Sequence, residues 1–253
     1  MKSKLIIANW KLNGNIKKIT SFLTVMKKYL LNRPTKNTIV FAPPSIYLDR
    51  VCNNIYNTNI FLAAQNTDVH LEGAFTGEIS PLMLKDVGVK YVLIGHSERR
   101  IMHNETDKII AEKFCMIKKL NLIPILCIGE FEKQKYKKTE KFLENQLTHI
   151  FDILGKTAFR NTVIAYEPIW AIGKGISADP ENVQFIHCFI RNYISQHDII
   201  SAKNLMIQYG GSINQENAKM FFKQKDINGL LVGSASLIHE TFIKIIEASN
   251  VII

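Results

Sequence analysis

The chain has 253 residues, a length that suits one α/β barrel, and its 47% hydrophobic content can fill one sizeable core. With 13 Gly and 7 Pro it is not a fibrous or disordered chain. A net charge of +10 admits nucleic acid, a membrane surface or a small anionic substrate as partner. The lysines are scattered, and the densest block, Lys133 to Lys141, is interleaved with Glu, Gln, Tyr and Thr as on a solvated helix, which argues against the first two.

The apolar run Leu5 to Ala8 is too short for a signal peptide, and no stretch approaches the ~20 apolar residues that span a bilayer. A soluble cytoplasmic protein is expected. Short apolar runs then recur, beginning near Leu5, Thr38, Ile60, Tyr91, Ile123, Val163, Leu205 and Gly229. These read as eight strands. Each interval between them is long enough for a crossover helix. Alternation within the runs is weak, as in Tyr91-Val92-Leu93-Ile94, which fits strands covered on both faces. Pro124 removes one ladder donor and is tolerable at a strand start. Ile16 to Leu31 reads as an amphipathic helix through Phe22, Val25, Met26, Tyr29 and Leu30. Asp179-Pro180-Glu181 opens another helix reaching about Gln196, with Asp as cap and Pro in the first turn. Eight strand–helix units without a linker predict a single (β/α)8 barrel over residues 1–253. The open doubly wound sheet is the alternative, but its G-x-G-x-x-G fingerprint is missing after the first strand.

Barrel chemistry belongs at the C-terminal strand ends. Lys11, after strand one, can hold an anion or simply be solvated. After strand four, His96-Ser97-Glu98-Arg99-Arg100 crowds titratable groups that must be mutually paired if buried. His96 there can act as an acid or donor, or can satisfy a loop backbone. After strand six, Glu167 stands among apolar residues, where partial desolvation would make it a usable base. Its bland alternative is a carboxylate paired with a lysine. The following Ile169-Trp170-Ala171-Ile172-Gly173-Lys174-Gly175 looks like a lid, bulky and then flexible. Gly210-Gly211-Ser212 and Gly233-Ser234, after strands seven and eight, offer backbone N–H groups to a phosphate. The histidines at 70, 103, 149, 187, 197 and 239 lack such company and read as surface residues. Cys52, Cys115, Cys127 and Cys188 form no C-x-x-C pair and no zinc spacing, so they read as reduced thiols.

Ala8-Asn9-Trp10-Lys11, Ile94 to Arg100, Ala165 to Gly173 and Gln208 to Ser212 closely resemble the hallmark segments of the triosephosphate isomerases. Gln65-Asn66 and Gly73 to Glu78 match as well, and the resemblance runs from about Lys4 to Leu237. It implies interconversion of glyceraldehyde 3-phosphate and dihydroxyacetone phosphate through an enediolate, in glycolysis and gluconeogenesis, with no cofactor and no metal. Glu167 would be the base. A neutral His96 would polarise the carbonyl and shuttle protons between its oxygens. Lys11 and Asn9 would stabilise the enediolate charge and contact the substrate. Gly173, Ser212, Gly233 and Ser234 would bind phosphate, mostly through backbone N–H. Glu98, Tyr209 and Cys127 would support the site, with Tyr209 and Ser212 holding the closed lid near Ala178. The resemblance also implies a two-fold homodimer, with Thr76 approaching the partner's site and Glu78 able to pair with Arg99.

Three positions depart from the family pattern. Lys174 stands where Thr is usual, Ile176 where Lys is usual, and Ser234 replaces a second glycine. Ser234 keeps its N–H but restricts φ. These changes are expected to touch phosphate affinity and lid kinetics rather than the proton transfers. The rival within the same fold is another phosphosugar enzyme such as an aldolase. A Schiff-base aldolase needs a lysine at a mid-barrel strand end, where this chain has Glu167.

Overall fold

The computed structural model describes residues 3–173 and 175–250. Lys174 lies outside the described residues. The eight strands are β1 (Leu5–Asn9), β2 (Thr38–Ala42), β3 (Ile60–Ala64), β4 (Tyr91–Ile94), β5 (Ile123–Ile128), β6 (Val163–Tyr166), β7 (Met206–Gly210) and β8 (Gly229–Val232). All neighbours pair in parallel and the sheet closes, with β8 returning to β1. The crossovers carry α1 (Ile16–Asn32), α2 (Leu48–Ile55), α3 (Pro81–Asp86), α4 (Ser97–Met102), α5 (Asp107–Lys119), α6 (Tyr136–Leu154), α7 (Pro180–Ser195), α8 (Ile199–Asn204), α9 (Ala218–Phe222) and α10 (His239–Ala248). The expected barrel is therefore observed. Strand seven begins at Met206, one residue after its expected start, because Leu205 ends α8. No described helix is long and apolar enough to cross a membrane.

The weak alternation has a direct cause. Leu5, Ile7, Val40, Ala42, Leu93, Ile125, Cys127, Val163, Ala165 and Leu231 fill the barrel interior. Their neighbours, such as Ile6, Ala8, Ile39, Phe41, Val92 and Ile164, pack outward against the helices. Both faces are buried, so nothing selects polar residues at alternate positions. Closure depends on Gly229, whose place opposite Leu5 brings the two backbones together. A Cβ there would lie 1.9 Å from the Leu5 carbonyl oxygen, so no larger residue fits without opening the seam.

The helices follow their sequence signals. Asp179 caps α7 by accepting from the Glu181 and Asn182 N–H groups at 2.8 and 3.3 Å. In α1 the buried face is Ile19, Phe22, Leu23 and Met26, while Val25, Tyr29 and Leu30 are only partly covered. The lysine block does not lie on one helix, because α6 starts at Tyr136 and Lys133 and Lys135 precede it.

One sequence reading is overturned. His187 is 0% exposed, on the inner face of α7, so it is not a surface histidine. Its Nδ1 lies 3.2 Å from the Asp226 carbonyl oxygen and its ring meets Tyr166 edge-on. Its position on the helix repeat, one residue after Ile186 and three before Ile190, was the signal for burial. Burial pushes its pKa down from 6.5 to about 3. The folded state therefore holds His187 neutral where the unfolded chain would protonate it. That stability is present above about pH 6.5 and is lost as pH falls toward 3, by at most about 1.4 kcal/mol per pH unit. The thermal midpoint of the parent should drop more between pH 6.5 and 5 than that of His187→Asn. Parallel losses in the two proteins would show that another group titrates.

Candidate active site

The C-terminal ends of β1, β4, β6, β7 and β8 open on one cavity of about 640 Å³. Its walls include Asn9 and Lys11 from the first strand end, His96 from the fourth and Glu167 from the sixth. Gly173 of the lid, Ser212, Gly233 and Ser234 complete them. Residues far apart in sequence thus meet because a closed parallel ladder points every strand end the same way. A larger groove of about 1090 Å³ lies alongside, between the starts of α1 and α10. Among the described residues no carboxylate lines it, and its one imidazole is that of His239.

Glu167 is 5% exposed. Its Oε1 is 3.5 Å from His96 Nε2, and the Cys127 thiol lies beside the same carboxylate. Burial first, and then the Glu167 charge, push the Cys127 thiol well above its ordinary range, so Cys127 stays protonated. Gly210 supplies the space on the other side. A Cβ at Gly210 would meet Glu167 Cγ and Oε1 at 2.8 Å.

His96 caps α4. Its Nδ1 accepts the Glu98 backbone N–H at 3.3 Å. That bond leaves the ring proton on Nε2, the nitrogen that faces Glu167 and the cavity. Lys11 carries its backbone in the left-handed region, at φ 51°. Three contacts hold this conformation, which is uncommon for a side chain of its length. Its N–H donates to Asn9 Oδ1 at 3.1 Å, its carbonyl accepts from Gln65 Nε2 at 3.0 Å, and its ammonium pairs with Glu98. Gln65 also donates to Ala42 at 2.7 Å, so it ties the ends of β1, β2 and β3 together. The sequence had shown Gln65 as a motif residue without a role.

The lid begins with a short 3-10 turn, Ile169–Ala171, and turns through Gly173 and Gly175 at φ 68° and 71°. Trp170 Nε1 donates to Glu130 at 2.8 Å, and Tyr166 donates to both oxygens of the same carboxylate at 3.1 Å. Burial pushes the Glu130 carboxyl upward. At the far end the Ala178 N–H donates to Tyr209 Oη at 2.9 Å, and at the near end Ser212 Oγ donates to the Ala171 carbonyl at 2.9 Å. Gly211 makes room for that anchor, since a Cβ there would fall 2.2 Å from Tyr209 Oη. Glu130 was missed in the sequence, although its place directly after Ile128-Gly129 satisfied the strand-end rule. Ile176 is 64% exposed.

Gly233 and Ser234 start the 3-10 turn Ser234–Leu237, and Ser236 Oγ locks it by donating to the Gly233 carbonyl at 2.7 Å. Ser234 is not among the left-handed residues, so the backbone does not require a glycine there. Thr76 and Glu78 are exposed, and Arg99 is already bonded to Glu105 at 2.6 Å.

Comparison with known proteins agrees with this geometry. A family model described as triosephosphate isomerase matches residues 4–249. The chain belongs to the triosephosphate isomerase family. It is 61% identical over 251 residues to the triosephosphate isomerase of Buchnera aphidicola subsp. Schizaphis graminum, covering 99% of both chains. It is 58% identical to that of Buchnera aphidicola subsp. Acyrthosiphon pisum, over 99% of this chain and 98% of the relative. With the enzyme from Blochmanniella floridana the identity is 54%, over 99% of this chain and 97% of the relative. Isomerisation of a triose phosphate is the activity of this family, and the barrel described above is a triosephosphate isomerase barrel.

The tight fit between Gly210 and the Glu167 carboxylate has a measurable consequence. Gly210→Ala should leave the circular dichroism spectrum unchanged and, if the Glu167 carboxylate takes part in the reaction, lower kcat by about a hundredfold, the size expected for a reacting group displaced by roughly an ångström. A kcat within twofold of the parent would show that Glu167 moves aside freely.

Proposed function

We propose that this chain interconverts glyceraldehyde 3-phosphate and dihydroxyacetone phosphate, in the cytoplasm, with Glu167 as the base, as part of glycolysis and gluconeogenesis. The Glu167 carboxylate takes a proton from the carbon beside the substrate carbonyl. The electrons move onto the carbonyl oxygen, and the Nε2–H of His96 stabilises that oxygen as charge develops. Proton exchange between the two oxygens through His96, followed by return of the proton from Glu167 to the neighbouring carbon, completes the isomerisation. Atoms and electrons balance without an external oxidant. Lys11 and Asn9 stabilise the enediolate charge. Backbone N–H groups at Gly173, Ser212, Gly233 and Ser234 hold the phosphate. The lid keeps water from the intermediate, and lid closure of this kind is described for this enzyme family itself.

One observation carries the reading: the buried Glu167 carboxylate stands 3.5 Å from His96 Nε2 in a cavity that Lys11 also lines. A Schiff-base aldolase has less support, because Lys11 is paired with Glu98 and the sixth strand end supplies a carboxylate. Glu167→Ala should reduce kcat by about 10²- to 10⁴-fold in a glyceraldehyde 3-phosphate isomerase assay, the usual contribution of a positioned base. A variant within tenfold of the parent would remove Glu167 from that role.

The same reading includes a two-fold homodimer. The arm carrying Thr76 and Glu78 is exposed, and a cavity of about 540 Å³ lined by Leu12, Gln65, Glu98, Arg99 and Met102 adjoins the site. Leu12 is 95% exposed and Met102 72%, which leaves apolar side chains for a second copy to cover. Light scattering at micromolar concentration should give twice the chain mass, and Thr76→Arg should shift it toward monomer with loss of activity. A fully active monomeric parent would contradict this.

A further inference from the structure

Resting on the reading of Glu167 as base, we propose that Gln146 is a positioning residue for it, acting through the backbone of Gly129. Gln146 lies on α6, on the buried face between Leu143 and Ile150, and is 5% exposed. An amide on an apolar helix face must be hydrogen-bonded to be tolerated. Its Oε1 accepts the Gly129 N–H at 3.0 Å. Gly129 is the first residue past β5 and is itself buried.

Gly129 packs directly on the catalytic segment. A Cβ built there would lie 2.0 Å from the Glu167 carbonyl oxygen and 2.5 Å from its carbonyl carbon. The two backbones are therefore in contact with no intervening side chain. The ladder continues on either side of this contact. Glu167 N–H donates to the Ile128 carbonyl at 2.7 Å, and Ile169 N–H donates to the Glu130 carbonyl at 2.9 Å. Pro168, between them, has no N–H to contribute. Residues 128 to 130 thus form the rail along which Glu167 and the base of the lid are set. Gln146 is the side chain that fixes the central peptide of that rail. Removing its acceptor leaves a buried N–H without a partner, which is costly enough to turn the peptide toward another acceptor. Any such turn moves the Glu167 backbone, because no gap separates the two.

The test compares two replacements of similar length. Gln146→Met fills the space and has no carboxamide oxygen, whereas Gln146→Glu keeps an acceptor at the same reach. With glyceraldehyde 3-phosphate, Gln146→Met should lose about tenfold in kcat with KM within twofold, as expected for a small misplacement of a reacting group. Its acid limb in kcat/KM against pH should move, and Gln146→Glu should restore both toward the parent. A folded Gln146→Met with parental kcat and pH profile overturns the inference. So does an equal kcat loss in both variants at matched thermal midpoints. If Gln146→Met does not fold, Gln146→Glu alone decides, since kcat within threefold of the parent upholds the role and a tenfold loss overturns it. Glu167→Ala is assayed alongside. If that variant stays active the base assignment falls, whereas an inactive Glu167→Ala beside a fully active Gln146→Met removes only the role of Gln146.

Discussion

An ionised carboxylate withdrawn from water is destabilised by several kcal/mol unless groups around it compensate, and the Glu167 carboxylate is carried in such a place. Its Oε2 has no hydrogen-bond partner among the described residues. Around it stand an imidazole with its proton on the facing nitrogen, a thiol and a glycine that leaves room. None of these neutralises the charge as a salt bridge would. The cations nearby are engaged elsewhere: Lys11 with Glu98, Arg100 with Asp107, and Arg99 and Lys113 with Glu105. A carboxylate held this way requires a scaffold whose remaining interactions offset the cost of its burial.

That scaffold works through carboxylates in different settings. Glu105 is buried but, despite desolvation, held below the usual carboxylate range by Lys113 and Arg99, and it joins α5 to α4. Glu130 forms no ion pair among the described residues, and its pKa moves upward with burial while it collects the Tyr166 hydroxyl and the Trp170 indole. The first is a structural ion pair. The second is a hydrogen-bond hub under the lid, where neutral donors can be exchanged at less energetic cost than a salt bridge. The lid is tied at its start by the Trp170 and Ala171 hydrogen bonds and at its far end by the Ala178 bond to Tyr209, and between them it turns through glycines in the left-handed region, a combination suited to opening and closing.

Much of this was legible in the order of residues. Repeated apolar runs announced eight strands because burial on both faces removes the reason for polar alternation. The Asp179-Pro180 start of α7 was legible because capping is a local interaction. Lys11, His96 and Glu167 could be picked out because barrel chemistry is confined to strand ends. Other features were missed. His187 was misread although its place on the α7 repeat signalled burial, Gln65 stood in a motif with no readable role, and Gln146 looked like an ordinary polar residue.

The sequence by itself determined the class of fold, the strand ends and the family, since these rest on local patterns of hydrophobicity, turn chemistry and motif. Only the tertiary structure decided which nitrogen of His96 faces the cavity, what holds Lys11 in its left-handed backbone, and where Gly129 and Gly210 press on Glu167. The bonds of Lys11 to Gln65 and Glu98 and the close approaches of Gly129 and Gly210 to Glu167 join segments from 38 to 87 residues apart in the chain. They exist only after the ladder closes, because a distance between two atoms from remote segments is a property of packing and not of any local run of residues.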